Sequence, residues 1–233
     1  LELGGNDAAI VLPDADVAKV AEKLFWASFY NAGQVCIAAK RIYIHEDIYD
    51  ELSAAIAAYA GAVKVGDGAE QGTAIGPIQN KQQYNRVLEL IADAKDKGYK
   101  FLVGGDHDPS IPGYFVPVTV LDNPPEDARI VAEEQFGPVM PLMKFSTVDE
   151  VISRANASDY GLAGSIWTSN PEAAVEVAEQ LETGTVWINE SMHLAPNAPF
   201  AGHKQSGFGA ELGEEGLLEF TYPQVITIAR EAA

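Results

Sequence analysis

Two side chains in this sequence have the types that nucleophilic chemistry needs. Cys36 is the only cysteine among 233 residues. It stands in Gly33-Gln34-Val35-Cys36-Ile37-Ala38-Ala39-Lys40-Arg41, past an amphipathic stretch and ahead of an apolar, β-branched run. A single cysteine closes no internal disulfide, and no His or Cys lies at metal-ligand spacing from it. It reads as an inert core thiol, an exposed accident or a nucleophile. Free cysteines are most often buried small hydrophobes, so taken alone the first reading leads. The sequence opens with Leu1-Glu2-Leu3-Gly4-Gly5-Asn6, which sets a carboxylate between two leucines. A carboxylate buried among apolar neighbours keeps its proton to higher pH and suits a general base. The plainer reading is an exposed carboxylate at a strand end, and composition alone favours it. No His is close in sequence to Cys36, so a Cys–His pair has no local support.

The elements that must position these groups alternate along the chain. Strand-length apolar runs interleave with helical ones, which predicts an α/β fold rather than separate α and β blocks. Ile10-Val11-Leu12 reads as a strand. Asp14 or Asp16 caps a helix that carries Val17, Val20, Ala21, Leu24, Phe25 and Phe29 on one face. Arg41-Ile42-Tyr43-Ile44 is strand-like, and Asp47 opens a second helix toward Ala62. A third helix spans 80–97 and stops at Gly98. Phe101-Leu102-Val103 precedes Gly104-Gly105, and 114–121 alternates in strand fashion. Strands are expected at 140–145, 163–168 and 186–188, with a helix over 148–157. Pro171 suits the first position of another helix, which ends before Gly184. A last short strand, 224–228, would be an edge in need of a partner. The looser segments are 66–76, 106–113 and 193–209, and there is no internal repeat.

Glu2 in Leu1-Glu2-Leu3-Gly4-Gly5 and Cys36 in Gly33-Gln34-Val35-Cys36, 34 positions apart, resemble the two catalytic signatures of the NAD(P)-dependent aldehyde dehydrogenases. Further matches follow in that family's order. They are Glu133-Glu134-Gln135-Phe136-Gly137-Pro138-Val139 and Asn156-Ala157-Ser158-Asp159-Tyr160-Gly161-Leu162-Ala163. Then come Gly184-Thr185-Val186-Trp187-Ile188-Asn189, Pro199-Phe200 and Lys204-Gln205-Ser206-Gly207-Phe208-Gly209. The resemblance runs from residue 1 to about Ile228. It implies an α/β catalytic domain, a three-layer open, mostly parallel twisted sheet flanked by helices. It also divides the chain into 1–8, a remnant of a cofactor-binding domain; 9–210, the catalytic domain; and 211–233, a C-terminal helix and oligomerisation strand.

The chemistry implied by the resemblance is oxidation of an aldehyde to a carboxylic acid with NAD or NADP. Cys36 would add to the carbonyl, the resulting alkoxide would expel hydride to the nicotinamide, and Glu2 would be the base that deacylates the thioester. The main-chain N–H of Cys36 would supply part of an oxyanion hole. The family's other oxyanion donor, an Asn side chain, lies upstream of the first motif, as does most of the dinucleotide-binding half. No convincing Gly-x-Gly-x-x-Gly follows a strand here. The chain by itself is therefore expected to lack dehydrogenase activity. Among cofactor contacts, Glu134 matches the carboxylate that binds the nicotinamide-side ribose, where two acceptor oxygens suit a vicinal diol. Phe136 would pack against ribose and nicotinamide, Gln83 matches a weaker ribose contact, and Leu3 falls on the cofactor side. Around the aldehyde, Tyr30 and Phe200 match wall aromatics, and Leu194 occupies a position where an aromatic is often found. His193 and His203 read as exposed loop histidines rather than substrate contacts. Two departures stand out: Ala201-Gly202 where two glycines are usual, and Ala210-Glu211 where Arg-Glu is usual.

Composition narrows the partners. A formal net charge of −19 disfavours nucleic acid and anionic membrane surfaces. No apolar run approaches the roughly 18 residues of a membrane span, and no basic-then-apolar leader opens the sequence. A single cysteine fits a reducing, cytoplasmic compartment. The expected partners are a small aldehyde and, through the C-terminal strand, further copies of the chain; no metal site is expected. Two other functions stay open. One is a non-catalytic assembly module whose edge strand pairs with another subunit. The other is a residual thiol esterase, because acylation and deacylation of Cys36 need no hydride acceptor.

Overall fold

Strands whose residues are buried on both faces need a helical layer on each side. The computed structural model describes residues 1–230, and its first strand, β1 (Asp7–Val11), is buried throughout. Ala8 and Ile10 join one apolar cluster while Ala9 and Val11 join another, the two-residue period of a strand between two layers. The remaining principal strands are β2 (Ala39–His45), β3 (Lys100–Val103), β4 (Thr119–Asp122) and β5 (Val139–Phe145). A short β6 (Tyr160–Gly161) precedes β7 (Ala163–Trp167), β8 (Thr185–Ile188) and β9 (His203–Lys204). Seven of them form one sheet of order β3-β4-β5-β2-β1-β7-β8, and β6 pairs separately with β9. Within the large sheet only β3 and β4 run antiparallel. Helices α1 (Val17–Phe29) and α2 (Glu46–Ala62) pack on one face. The other face carries α3 (Lys81–Asp96), α4 (Arg129–Ala132), α5 (Val148–Asn156) and α6 (Pro171–Ala178). This is the expected three-layer α/β arrangement. A last helix, α7 (Gly213–Leu218), follows β9. Among the described residues no helix is long and apolar enough to cross a membrane.

Local chemistry explains most element ends. The Asp16 carboxylate accepts from the Lys19 N–H at the start of α1, and Asn80 does the same for Gln83 at the start of α3. Gly98, at φ 75°, ends the α3 segment in the left-handed conformation. Asp16→Ala removes the cap of α1 and is expected to lower the denaturant midpoint at unchanged slope.

Three expectations need correction. The cap of α2 is His45, whose ring nitrogen accepts from the Asp47 N–H, so the helix starts at Glu46 and not at Asp47. The alternating stretch 114–121 is a strand only from Thr119 onward. Alternation alone does not supply a ladder, and Pro117 has no N–H to give one. Residues 224–228 form no strand in the single chain; Val225, Ile226 and Ile228 are exposed, and among the described residues no strand pairs with them. In addition, β1 begins at Asp7, inside the 1–8 segment.

Candidate active site

The residues with chemistry gather at one edge of the sheet. Glu2, Cys36 and Glu134 each lie a few residues before β1, β2 and β5, which are adjacent and parallel. Their lead-in segments therefore enter the sheet side by side. The Cys36 Sγ stands 3.6 Å from the Glu2 Oε1, with the thiol as donor.

Cys36 is presented by a strained turn after α1. Asn31, Ala32 and Gly33 are left-handed in succession, at φ 52°, 58° and 71°. Asn and Gly tolerate this region and Ala does so at a cost of about 1–2 kcal/mol. A side chain at Gly33 would also run into the Gly137 carbonyl. Gln34 braces the turn: its amide donates to the Asn31 carbonyl at 3.0 Å, and its side-chain oxygen accepts from the Gln79 N–H at 2.8 Å. Cys36 itself is half-buried and packs against Ile37, Leu162, Ala163, Trp187 and Phe200. Burial pushes its thiol pKa up, and the neighbouring Glu2 carboxylate adds to the rise; the Ile37 N–H and the Lys40 ammonium oppose it. Among the described residues nothing accepts from the Cys36 N–H, which leaves that donor free for an oxyanion.

Glu2 is exposed, in line with the plainer reading of its surroundings in the sequence. Its position comes from backbone pairing: Leu3 N–H donates to the Ser206 carbonyl and Phe208 N–H to the Leu1 carbonyl, both at 2.9 Å. The paired glycines that follow are required by close approach. A side chain at Gly4 would overlap the Glu134 carboxylate, and a Cβ at Gly5 would lie 2.7 Å from the Cys36 carbonyl oxygen. Gly5 N–H donates to Glu134 Oε1 at 3.1 Å. The first motif, the cysteine turn and Glu134 are thus interlocked.

The other expected residues fall into two groups. Phe136 is half-buried at φ 47°, and Gln83 donates both to its carbonyl and to that of Gln135. Gln83 and Phe136 share an open groove of about 490 Å³ with Asn31 and Gln34. Phe200 is 5% exposed and belongs to the cluster around Cys36, whereas Tyr30 and Leu194 are 61% and 45% exposed and lie outside it. Leu3 is exposed and touches the site only through its backbone. A second, largely apolar groove of about 610 Å³ runs past Glu2 and Phe200 between Leu1, Phe208, Leu217 and Phe220.

Two charged residues that sequence reasoning passed over lie beneath the cysteine. Lys40 is 3% exposed. Its ammonium donates to the carbonyls of Cys36 at 2.7 Å and Val35 at 2.9 Å, and stands 3.4 Å from Glu134 Oε1. Asp7 is buried, with one oxygen accepting from the Ala163 N–H at 3.2 Å and the other unpartnered. Asp7 opening the apolar β1, and Lys40 beside Arg41 near the start of β2, were the available signal. Burial raises the Asp7 pKa to about 7, against the opposing pull of Lys40, the Ala163 N–H and Arg41. Because the folded-state value lies above the ordinary 3.8, the charge costs stability. That cost is absent below about pH 3.8, grows as pH rises, and is complete above about pH 7. Asp7→Asn keeps an acceptor for Ala163. It is expected to raise Tm above neutral pH, with the gain vanishing toward about pH 4, as followed by calorimetry.

The sequence profile of the aldehyde dehydrogenase family matches residues 1–226. The chain is 44% identical over 229 residues to a mitochondrial aldehyde dehydrogenase of Leishmania tarentolae, covering 98% of this chain and 46% of that protein. It is 40% identical over 230 residues to the phenylacetaldehyde dehydrogenase of Pseudomonas fluorescens, with 98% and 46% covered. Among solved structures, the NAD+ complex of an aldehyde dehydrogenase from Bacillus cereus superposes at a TM-score of 0.91 and 42% identity, over 95% of this chain and 45% of that one. The lactaldehyde dehydrogenase of Escherichia coli superposes at 0.92 and 37% identity, over 97% and 47%. The chain thus spans a little under half the length of these relatives. With its motif residues interlocked at one sheet edge and the profile covering almost its whole length, the chain belongs to the aldehyde dehydrogenase family.

Proposed function

We propose that this chain is the catalytic part of an NAD(P)-dependent aldehyde dehydrogenase that converts an aldehyde to a carboxylic acid. The observation that carries the reading is the 3.6 Å approach of the Cys36 thiol to Glu2, two groups far apart in sequence. In the proposed sequence the thiol proton passes to Glu2 and Cys36 Sγ bonds the carbonyl carbon. The new alkoxide accepts from the Cys36 N–H. NAD(P)+, when bound, supplies the acceptor for the hydride that this carbon loses. Once Glu2 has released the thiol proton to solvent, a water attacks the thioester left on Cys36 and gives its proton to Glu2; the C–S bond breaks, the sulfur leaves as the Cys36 thiolate, and the acid departs.

The residues present fit such a cofactor. Glu134 Oε1 is engaged by Gly5 and Lys40, while among the described residues no donor reaches Oε2, which leaves it to a hydroxyl. Phe136 offers an apolar face to the groove it shares with Gln83. A solved relative at 42% identity is an NAD+ complex, which supports the same class here. The chain alone carries only this side of a dinucleotide site, so the proposed activity is that of the full-length protein. Phe200 and the apolar groove beside it favour an uncharged aldehyde. A second copy of the chain is the proposed partner for the 224–228 segment, whose apolar residues Val225, Ile226 and Ile228 are exposed. The test is aldehyde-dependent NAD(P)H formation by the full-length protein over a broad aldehyde panel. Reduction with any of them supports the reading, and none with any of them overturns it.

A further inference from the structure

We infer that Lys40 is a positioning residue that couples Glu134 to the nucleophile, because one buried ammonium holds the carbonyls of the Cys36 turn and the Glu134 carboxylate together. This inference rests on the roles proposed above for Cys36 and Glu134.

The backbone singles Lys40 out. Between β1 and β2 the register passes from Asp7 opposite Ala39 to Ala8 opposite Arg41, so Lys40 is skipped. A bulge of this kind re-aims one side chain without disturbing the strand beyond it. Here it turns Lys40 beneath the cysteine. Its Nζ reaches the carbonyls of Cys36 at 2.7 Å, Val35 at 2.9 Å and Ala38 at 3.4 Å, and Glu134 Oε1 at 3.4 Å. An ammonium has three protons, and an unpaired one this deep would be strongly disfavoured. Lys40 is therefore saturated by the turn and the carboxylate, and a shift in either partner must be taken up by the other. Gly5 closes the same loop from the segment before β1: its N–H donates to Glu134, and a side chain there would meet the Cys36 carbonyl.

The charges around this joint give the coupling a sign. Cys36 faces Glu2 and Lys40, and Lys40 in turn faces Asp7 from β1 and Glu134 from the segment before β5. Burial pulls the Lys40 pKa down while Asp7 and Glu134 hold it up. Neutralising Glu134 loosens the ammonium's hold on that side, so that it settles closer to the Cys36 carbonyl and favours the thiolate. Removing the ammonium does the opposite.

The test is the pH profile of Cys36 alkylation by iodoacetamide in the full-length protein without nucleotide, read by mass on the Cys36 peptide. Glu134→Gln is expected to move the profile to lower pH, a gain in neutral-pH rate of about 3–10-fold for a shift of 0.5–1 unit. Lys40→Met should move it to higher pH by a similar factor, with Lys40→Gln as the second variant if Met does not fold. In a Lys40→Met background, Glu134→Gln should have no further effect. A Glu134→Gln profile that matches wild type overturns the coupling, and so does an equal shift that persists without Lys40. The nucleotide KM of Glu134→Gln separately tests the ribose role: an unchanged KM overturns that role whatever the alkylation profile shows.

Discussion

Cys36→Ser is expected to reduce aldehyde-dependent NAD(P)H formation by the full-length protein on the order of 10⁴-fold or more in kcat/KM. A serine hydroxyl keeps its proton far more tightly than a thiol, and a carboxylate such as Glu2 is too weak a base to remove it. The substitution is otherwise small. Cys36 packs beside Phe200, Trp187 and Leu162, and an oxygen in place of sulfur leaves the cluster nearly filled. Loss of activity with an unchanged denaturation midpoint would therefore report chemistry and not unfolding. Residual activity within about tenfold of wild type would remove Cys36 from the nucleophile's role. The same variant separates the other functions that the sequence leaves open. An ester that turns over on wild type and not on Cys36→Ser identifies a thiol esterase, and an ester untouched by both leaves an assembly module.

Glu2→Gln is expected to slow turnover by about 10²–10⁴-fold, the range of a lost general base. Its signature distinguishes the two steps proposed for Glu2. If the carboxylate acts mainly in deacylation, rapid mixing should show a full first-turnover burst of NAD(P)H followed by a slow steady state. If it is needed chiefly to deprotonate the thiol, the burst itself slows. Because Glu2 is exposed and held by the backbone pairing of Leu1 and Leu3 with Phe208 and Ser206, the glutamine should sit where the glutamate did. A turnover rate unaffected by Glu2→Gln, burst included, would remove Glu2 from the mechanism.

Much of this fold could be read along the chain because its signals are local. The face that carries Leu24, Phe25 and Phe29 repeats at helical spacing, and Asn80 and Gly98 bracket α3 with side-chain and backbone chemistry of their own. Where partners decide the outcome, local pattern fails. Residues 114–118 alternate like a strand but have no ladder, and 224–228 has the composition of a strand with no pairing partner among the described residues. The same division holds in the site. Cys36, Glu2 and Glu134 were marked by motifs whose order brings them together at the ends of neighbouring strands. Lys40 and Asp7 were not marked, because burial of a charge is a property of three dimensions. Tyr30 and Leu194 carried the right types at matching positions, yet their exposure depends on surfaces that no linear pattern describes.

The common entry edge of β1, β2 and β5 has a mechanical consequence. Neighbouring strands are indexed to one another residue by residue, and each step along a strand is about 3.3 Å and a half-turn of the side chain. The thiol and Glu134 are therefore aligned by the same ratchet that aligns the apolar layers. A slip of the whole β1–β2 pairing by one residue would misplace the cysteine and also turn Ile42 and Ile44 out of their layer. The sheet thus acts as a gauge block for Cys36 and Glu134, and the pairing of Leu1 and Leu3 with Phe208 and Ser206 sets Glu2 against it.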